Sequence, residues 1–195
     1  VRVVLIHGQP EVFTAGNDLG DFLNGPTDDP DRPVFRFLRN IAAAPKPLIA
    51  AITGNAVGVG TTMLLRCDFV YAADTAVFRL PFVDLGLCPG GGSSLVIPQR
   101  GGQLLANELL MLGEAFSPET AVRAGIANAV VPLAELFHTA ETVTRELSLL
   151  RASRITASSG KHLQILDMAG LEAMREQPEK PAAPRVHSPT HARHR

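Results

Sequence analysis

A chain of 195 residues with 46% hydrophobic content is long enough for one well-buried core and too short for two comfortable domains. Its formal charge of -1 excludes the strong field that grips nucleic acid or anionic lipid. Cys67 and Cys88 are too few for a disulfide framework and lack metal-ligand spacing, so no metal is expected and a reducing cytoplasm fits best. No apolar run reaches the roughly 18 residues that a membrane helix needs. No signal peptide is visible, although the first residue is Val1 and not Met.

The β-branched run from Val1 to His7 reads as a strand buried on both faces. A chain that opens inside a core strand leads us to expect a missing upstream piece. Gly8 to Gly16 reads as a loop. Val34, Phe35, Leu38, Ile41 and Ala42 repeat at helical spacing, and Pro45 and Pro47 end that helix. Leu48 to Thr53 is a short apolar strand, followed by a Gly54-Asn55 turn. Gly58 opens a helix through Leu65, and Phe69 to Ala72 and Ala76 to Leu80 are the next strands. Leu104 to Leu112 is helical and stops at Gly113. Ser117-Pro118-Glu119 starts another helix: Ser caps it, Pro fits the first turn, and Glu suits the positive end. Gly125 closes that helix, Ile126 to Val131 is a strand, and a last helix runs from about Leu133 to Leu150. Strands alternating with helices predict an α/β layer fold. Gln177 to Arg195 is rich in proline and histidine and poor in large apolar residues, so it is expected to be a disordered, dispensable tail.

Three glycine-bearing loops carry the functional signal. The first is Phe13-Thr14-Ala15-Gly16-Asn17-Asp18-Leu19, whose small residues let backbone N–H groups face a ligand and whose Asp18 is placed to cap a helix. The second, Gly54-Asn55-Ala56-Val57-Gly58-Val59-Gly60, is a strand–loop–helix junction with free N–H groups for an anion. The third is Cys88-Pro89-Gly90-Gly91-Gly92-Ser93-Ser94, again opening into an apolar helix. None is a phosphate loop, because no Gly-Lys-Ser/Thr follows, and the first also fails the dinucleotide pattern. Singly, each loop is weak evidence, since a glycine-rich turn before a helix is more often structural punctuation.

In order, however, the loops resemble those of the crotonase (enoyl-CoA hydratase/isomerase) superfamily. Phe13 to Leu19 is similar to its first oxyanion loop and Ile49 to Gly58 to its second. Asp68-Phe69-Val70-Tyr71-Ala72-Ala73-Asp74 is similar to the strand after its active-site helix. Leu80-Pro81-Phe82-Val83-Asp84-Leu85-Gly86-Leu87-Cys88-Pro89 most resembles the Δ3,Δ2-enoyl-CoA isomerase branch. Phe116 to Ala121, with Gly125-Ile126, completes a likeness that covers about Val1 to Lys161.

The resemblance implies a crotonase-type spiral of repeated ββα units with outer helices, occupying residues 1–176. It implies a fatty acyl-CoA thioester as substrate, no cofactor beyond that coenzyme A, and a homotrimer or dimer of trimers. The thioester carbonyl would lie between the backbone N–H groups of Asn17 and Val59. Such donors are each worth on the order of 3 kcal/mol in the transition state. Ala15, Gly16, Asp18, Leu19, Gly58, Thr62, Phe82 and Gly90 would line the substrate site.

Three positions depart from the family pattern. The two hydratase glutamates correspond to Thr62 and Phe82, and the single isomerase glutamate corresponds to Gly90. None of these can act as a base, so hydration by the usual route is not expected. Asp84 is the weak substitute candidate, whereas Asp18 reads as a cap. Ser93 and Ser94 lack a serine-nucleophile motif, and His138 or His162 would have to reach them from surface positions. The family's first strand and helix have no counterpart before Val1, and its closing helices are shortened after Lys161, which bears on trimer packing. The competing readings are a noncatalytic acyl-CoA-binding or scaffold protein and an inactive fragment.

Overall fold

The structure is a computed structural model that describes residues 1–18, 20, 31–153, 156–159, 162–165 and 167. The expected tail and the predicted site residue Leu19 lie outside the described residues. The chain winds as successive turns, each adding one strand to each of two sheets before a helical or turn segment closes it. The first turn holds β1 (Val4–His7), β2 (Val12–Thr14) and α1 (Pro33–Ala42). The second holds β3 (Leu48–Ile52), β4 (Asn55–Val57) and α2 (Val59–Thr62), which tightens into a 3₁₀ turn over Met63–Arg66. The third holds β5 (Phe69–Ala73) and β6 (Val77–Arg79), a 3₁₀ turn at Val83–Leu85, then α3 (Ser93–Gly101) and α4 (Gln103–Met111). After these come β7 (Ala115–Phe116), α5 (Pro118–Arg123), β8 (Ala129–Val131), α6 (Leu133–Ala152) and a β9–β10 hairpin (Thr156–Ser159, His162–Ile165).

The first sheet has the order β1-β3-β5-β8 and is parallel throughout, with Ile6 opposite Ala50, Ala50 opposite Val70, and Ala72 opposite Val130. The second has the order β2-β4-β6-β7, and only β7 runs antiparallel. Central strand β3 shows why the spiral closes. All five of its residues are buried, and their period of two splits them between two cores. Leu48, Ala50 and Ile52 face the inner core with Leu64, Phe78 and Ile97, while Ile49 and Ala51 face Leu136 and Ala140 of α6. Burial on both faces is what parallel sheets require. Phe78 stacks on Phe116 with ring centroids 5.7 Å apart, tying β6 to β7 in the core.

Most expected elements form. Ser117 caps α5 by accepting from the Thr120 N–H at 3.3 Å, with Pro118 in the first turn. Gly113 follows α4 at φ +67°. Several expectations need correction. The stretch Gly8 to Gly16 is not all loop, because Val12–Thr14 pairs with β4. Asn55 is the first residue of β4 and not a turn residue, and the helix begins at Val59 with Gly58 as its N-cap. β2, β4 and β7 are two or three residues long, too short for alternation to register. β1 is not buried on both faces: Val4, Leu5 and Ile6 are half-buried, since among the described residues only β3 pairs with it. No helix of the described residues is long and apolar enough to cross a membrane.

Candidate functional site

The three glycine loops meet at one cavity of about 510 Å³. Ala15, Gly16 and Asn17 come from the turn after β2; Val57, Gly58, Val59 and Thr62 come from β4 and α2. Pro81, Phe82, Asp84, Leu85, Leu87, Cys88, Gly90 and Gly91 follow β6, and Val34, Phe35 and Leu38 of α1 form the facing wall. A volume of this order suits a small-molecule group and not a macromolecule.

The first two loops are locked together at their backbones. A Cβ on Gly16 would stand 2.7 Å from the Val57 carbonyl oxygen and 3.9 Å from the Val59 nitrogen. Gly16 also has φ +97°, which L side chains rarely adopt. Thr14 Oγ1 accepts from the Gly16 N–H at 3.1 Å and holds the turn. Gly58, at φ +57°, starts α2 sharply, and its N–H donates to the Arg79 carbonyl at 2.9 Å. Among the described residues, no acceptor answers the backbone N–H of Asn17 or of Val59. Val59 opens a helix, where the first N–H groups have no intrahelical partner. Asn17 and Val59 both line the cavity. Gly16→Ala should disrupt them without a large core effect. A left-handed Ala costs about 1–3 kcal/mol, and its methyl would press on the Val57 carbonyl. If the cavity takes the acyl-CoA that the resemblance implies, titration should show affinity falling at least tenfold while the circular-dichroism spectrum stays native; unchanged affinity would mean that the turn does not position the donors.

The positions expected to hold carboxylates also converge. Thr62 is buried, and a Cβ on Gly91 would lie 2.7 Å from its Oγ1. A Cβ on Gly90 would meet only Phe82 Cε1, at 3.7 Å. Thr62, Phe82 and Gly90 thus line one cavity, and none offers a titratable group. Asp84 also lines it, with Oδ2 accepting from Arg79 Nη2 at 3.0 Å. Arg79 Nε donates in turn to the Gly113 carbonyl at 2.9 Å. This ion pair in the wall was not read from the sequence, because Gly113 and Asp84 meet Arg79 only through the fold.

Other candidates resolve differently. Asp18 does not line the cavity: it is exposed, and its Oδ1 accepts from the Gly20 N–H at 2.7 Å, the local bond expected of a cap. Ser93 is fully buried and donates to the Gly90 carbonyl at 2.8 Å, which fixes the third loop. Arg66 Nη2 reaches the Gly91 carbonyl at 3.4 Å from the other side. Ser94 and His138 are exposed, and the side chain of His162 lies outside the described residues. Burial pushes the Tyr71 phenol up, and the Ser117 hydroxyl holds Glu119 below its ordinary value, but neither residue lines the cavity.

A family model described as enoyl-CoA hydratase/isomerase matches residues 1–176. Carnitinyl-CoA dehydratase of Escherichia coli K12 is 38% identical over 150 residues, covering 75% of this chain and 58% of the dehydratase. Among solved structures, OdaA of Pseudomonas aeruginosa shares 47% identity at a TM-score of 0.74, covering 79% of this chain and 63% of OdaA. An enoyl-CoA hydratase/isomerase from Pseudoalteromonas atlantica T6c shares 39% identity at a TM-score of 0.70, covering 75% of this chain and 59% of that enzyme. The chain thus spans about three fifths of the length of these relatives. A match through both sheets and all three loops leads to one assignment: the chain belongs to the enoyl-CoA hydratase/isomerase family of the crotonase superfamily.

Proposed function

We propose that this chain binds an acyl-CoA thioester with its carbonyl oxygen between the backbone N–H groups of Asn17 and Val59, in the manner of a Δ3,Δ2-enoyl-CoA isomerase that lacks the usual glutamate. One observation carries the reading: a Cβ on Gly16 would lie 3.9 Å from the Val59 nitrogen, so the first loop runs beside the second and Asn17 and Val59 line one cavity. Preorganised backbone donors stabilise the enolate-like oxygen that forms when a proton leaves C2. The rest of the wall is largely apolar, which excludes water and strengthens those bonds. With Thr62, Phe82 and Gly90 at the carboxylate positions, the chain holds the thioester and polarises it but moves a proton poorly.

The reading is tested by thermal denaturation with and without a saturated acyl-CoA. Ligand at a hundred times its dissociation constant adds about 2.7 kcal/mol of stability. A complex should then show both nitrogens within hydrogen-bond distance of the thioester oxygen. Absence of stabilisation at millimolar ligand, or a carbonyl bound elsewhere, would overturn it.

A further inference from the structure

We infer that the acyl group ends in a carboxylate, so that the ligand is the coenzyme A thioester of a short dicarboxylic acid and Arg79 receives its far end. The inference rests on the thioester-binding reading above and narrows it. Among the described residues lining the cavity, the charged ones are Arg32, Arg79 and Asp84, set within largely apolar walls. Arg79 is held at two points, Nε on the Gly113 carbonyl and Nη2 on Asp84, and its side chain is still 48% exposed. A guanidinium carries five N–H donors, so three remain, including both on Nη1. A preoriented fork of this kind matches a carboxylate in geometry and charge.

A plain alkyl chain in the same space would strip water from the pair and replace it with nothing, which carries a desolvation cost. A terminal carboxylate instead supplies the missing acceptors. The repulsion expected from Asp84 is damped because Nη2 already engages its carboxylate at 3.0 Å. The extent of the cavity bears on the length class. Arg79 pairs with Val57 across the β4–β6 ladder, so the two residues share a face of the sheet. Val57 lies two positions before Val59, and adjacent strands are roughly 4.8 Å apart. Arg79 and Val59 line the same cavity of about 510 Å³, whose size suits a short acyl chain.

Calorimetric titration with glutaryl-CoA and pentanoyl-CoA, which have equal carbon counts, tests this directly. The natural chain should bind the glutaryl thioester at least tenfold more tightly. Arg79→Met should bring that ratio to about one, Arg79→Lys should keep part of it, and Asp84→Asn should widen it. Substituting an arginine that only supports the fold would not change the ratio in this ligand-selective way. A natural-chain ratio near or below one, or a ratio unchanged in Arg79→Met, overturns the inference. If pentanoyl-CoA binds and the ratio is one, only the carboxylate fails; if neither thioester binds, the thioester reading fails with it. Should Arg79→Met not fold, the natural-chain ratio and its reduction in Arg79→Lys decide the matter.

Discussion

Gly90→Glu should raise isomerisation of a 3-enoyl-CoA by roughly two to four powers of ten, the usual worth of a positioned general base, and should leave hydration of a 2-enoyl-CoA where it was. The position accepts a side chain. Gly90 is not among the glycines with positive φ, and an added Cβ would meet only the edge of Phe82 at ordinary contact distance. Its neighbours Gly91 and Gly92, at φ +65° and +79°, would not tolerate the same change. A glutamate at 90 enters the cavity that Asn17 and Val59 line, so a carboxylate and the proposed oxyanion donors come to share one space. Hydration needs a base for water at the Thr62 or Phe82 positions, and the substitution leaves both unchanged. Spectrophotometric assay of both reactions, with Asp84→Asn in the natural chain as a parallel, settles the assignment. If the natural chain isomerises well and Asp84→Asn abolishes that turnover, Asp84 is the base and Gly90 is not a vacancy. If Gly90→Glu binds acyl-CoA normally and gains nothing, the geometric premise is wrong.

Phe78→Ala is the substitution with the largest expected effect on stability, a loss of about 3–5 kcal/mol. Phe78 is fully buried, stacks on Phe116, and belongs to the inner core that joins the two sheets. Truncation removes a ring from a close-packed interior and leaves a void that rigid strands on either side cannot fill. In a chain of this size each kcal/mol moves the melting temperature by roughly 2–4 °C, so calorimetry should register a fall of 6 °C or more. Phe78→Leu should lose clearly less. The consequence reaches the site, because Phe78 sits between Val77 and Arg79 on β6, and β6 holds β4 and the Gly58 turn in register. Acyl-CoA affinity measured well below the new melting temperature should therefore fall as well. A loss below 1 kcal/mol would show that the β6–β7 end of the core is loosely packed.

Local chemistry made much of this molecule legible in its sequence. The buried runs at Leu48–Ile52 and Phe69–Ala73, the Ser-Pro-Glu start at Ser117, and the 20-residue helix from Leu133 all follow from periodicity, turn chemistry and capping, which act over a few residues. The order of the three glycine loops along the chain is by itself a mark of the family. Short strands escaped, because β2 exists by pairing with β4, and β4 and β7 by pairing with β6, and not by intrinsic propensity. The partial burial of β1 escaped for the same reason: an apolar run does not say how many neighbours will cover it, and among the described residues β1 pairs with β3 alone. What only the tertiary structure decided is convergence. Gly16 and Val59 lie 43 positions apart in the numbering and meet because the parallel β2–β4 register brings their turns together. Arg79, Asp84 and Gly113 form one polar station because the turn after β6 and the turn after α4 return to the same edge of the second sheet. Arg79 and Asp84 are only five positions apart, but the Gly16–Val59 approach and the Arg79–Gly113 bond span 43 and 34 positions, so they depend on sheet register and no local window of sequence contains them.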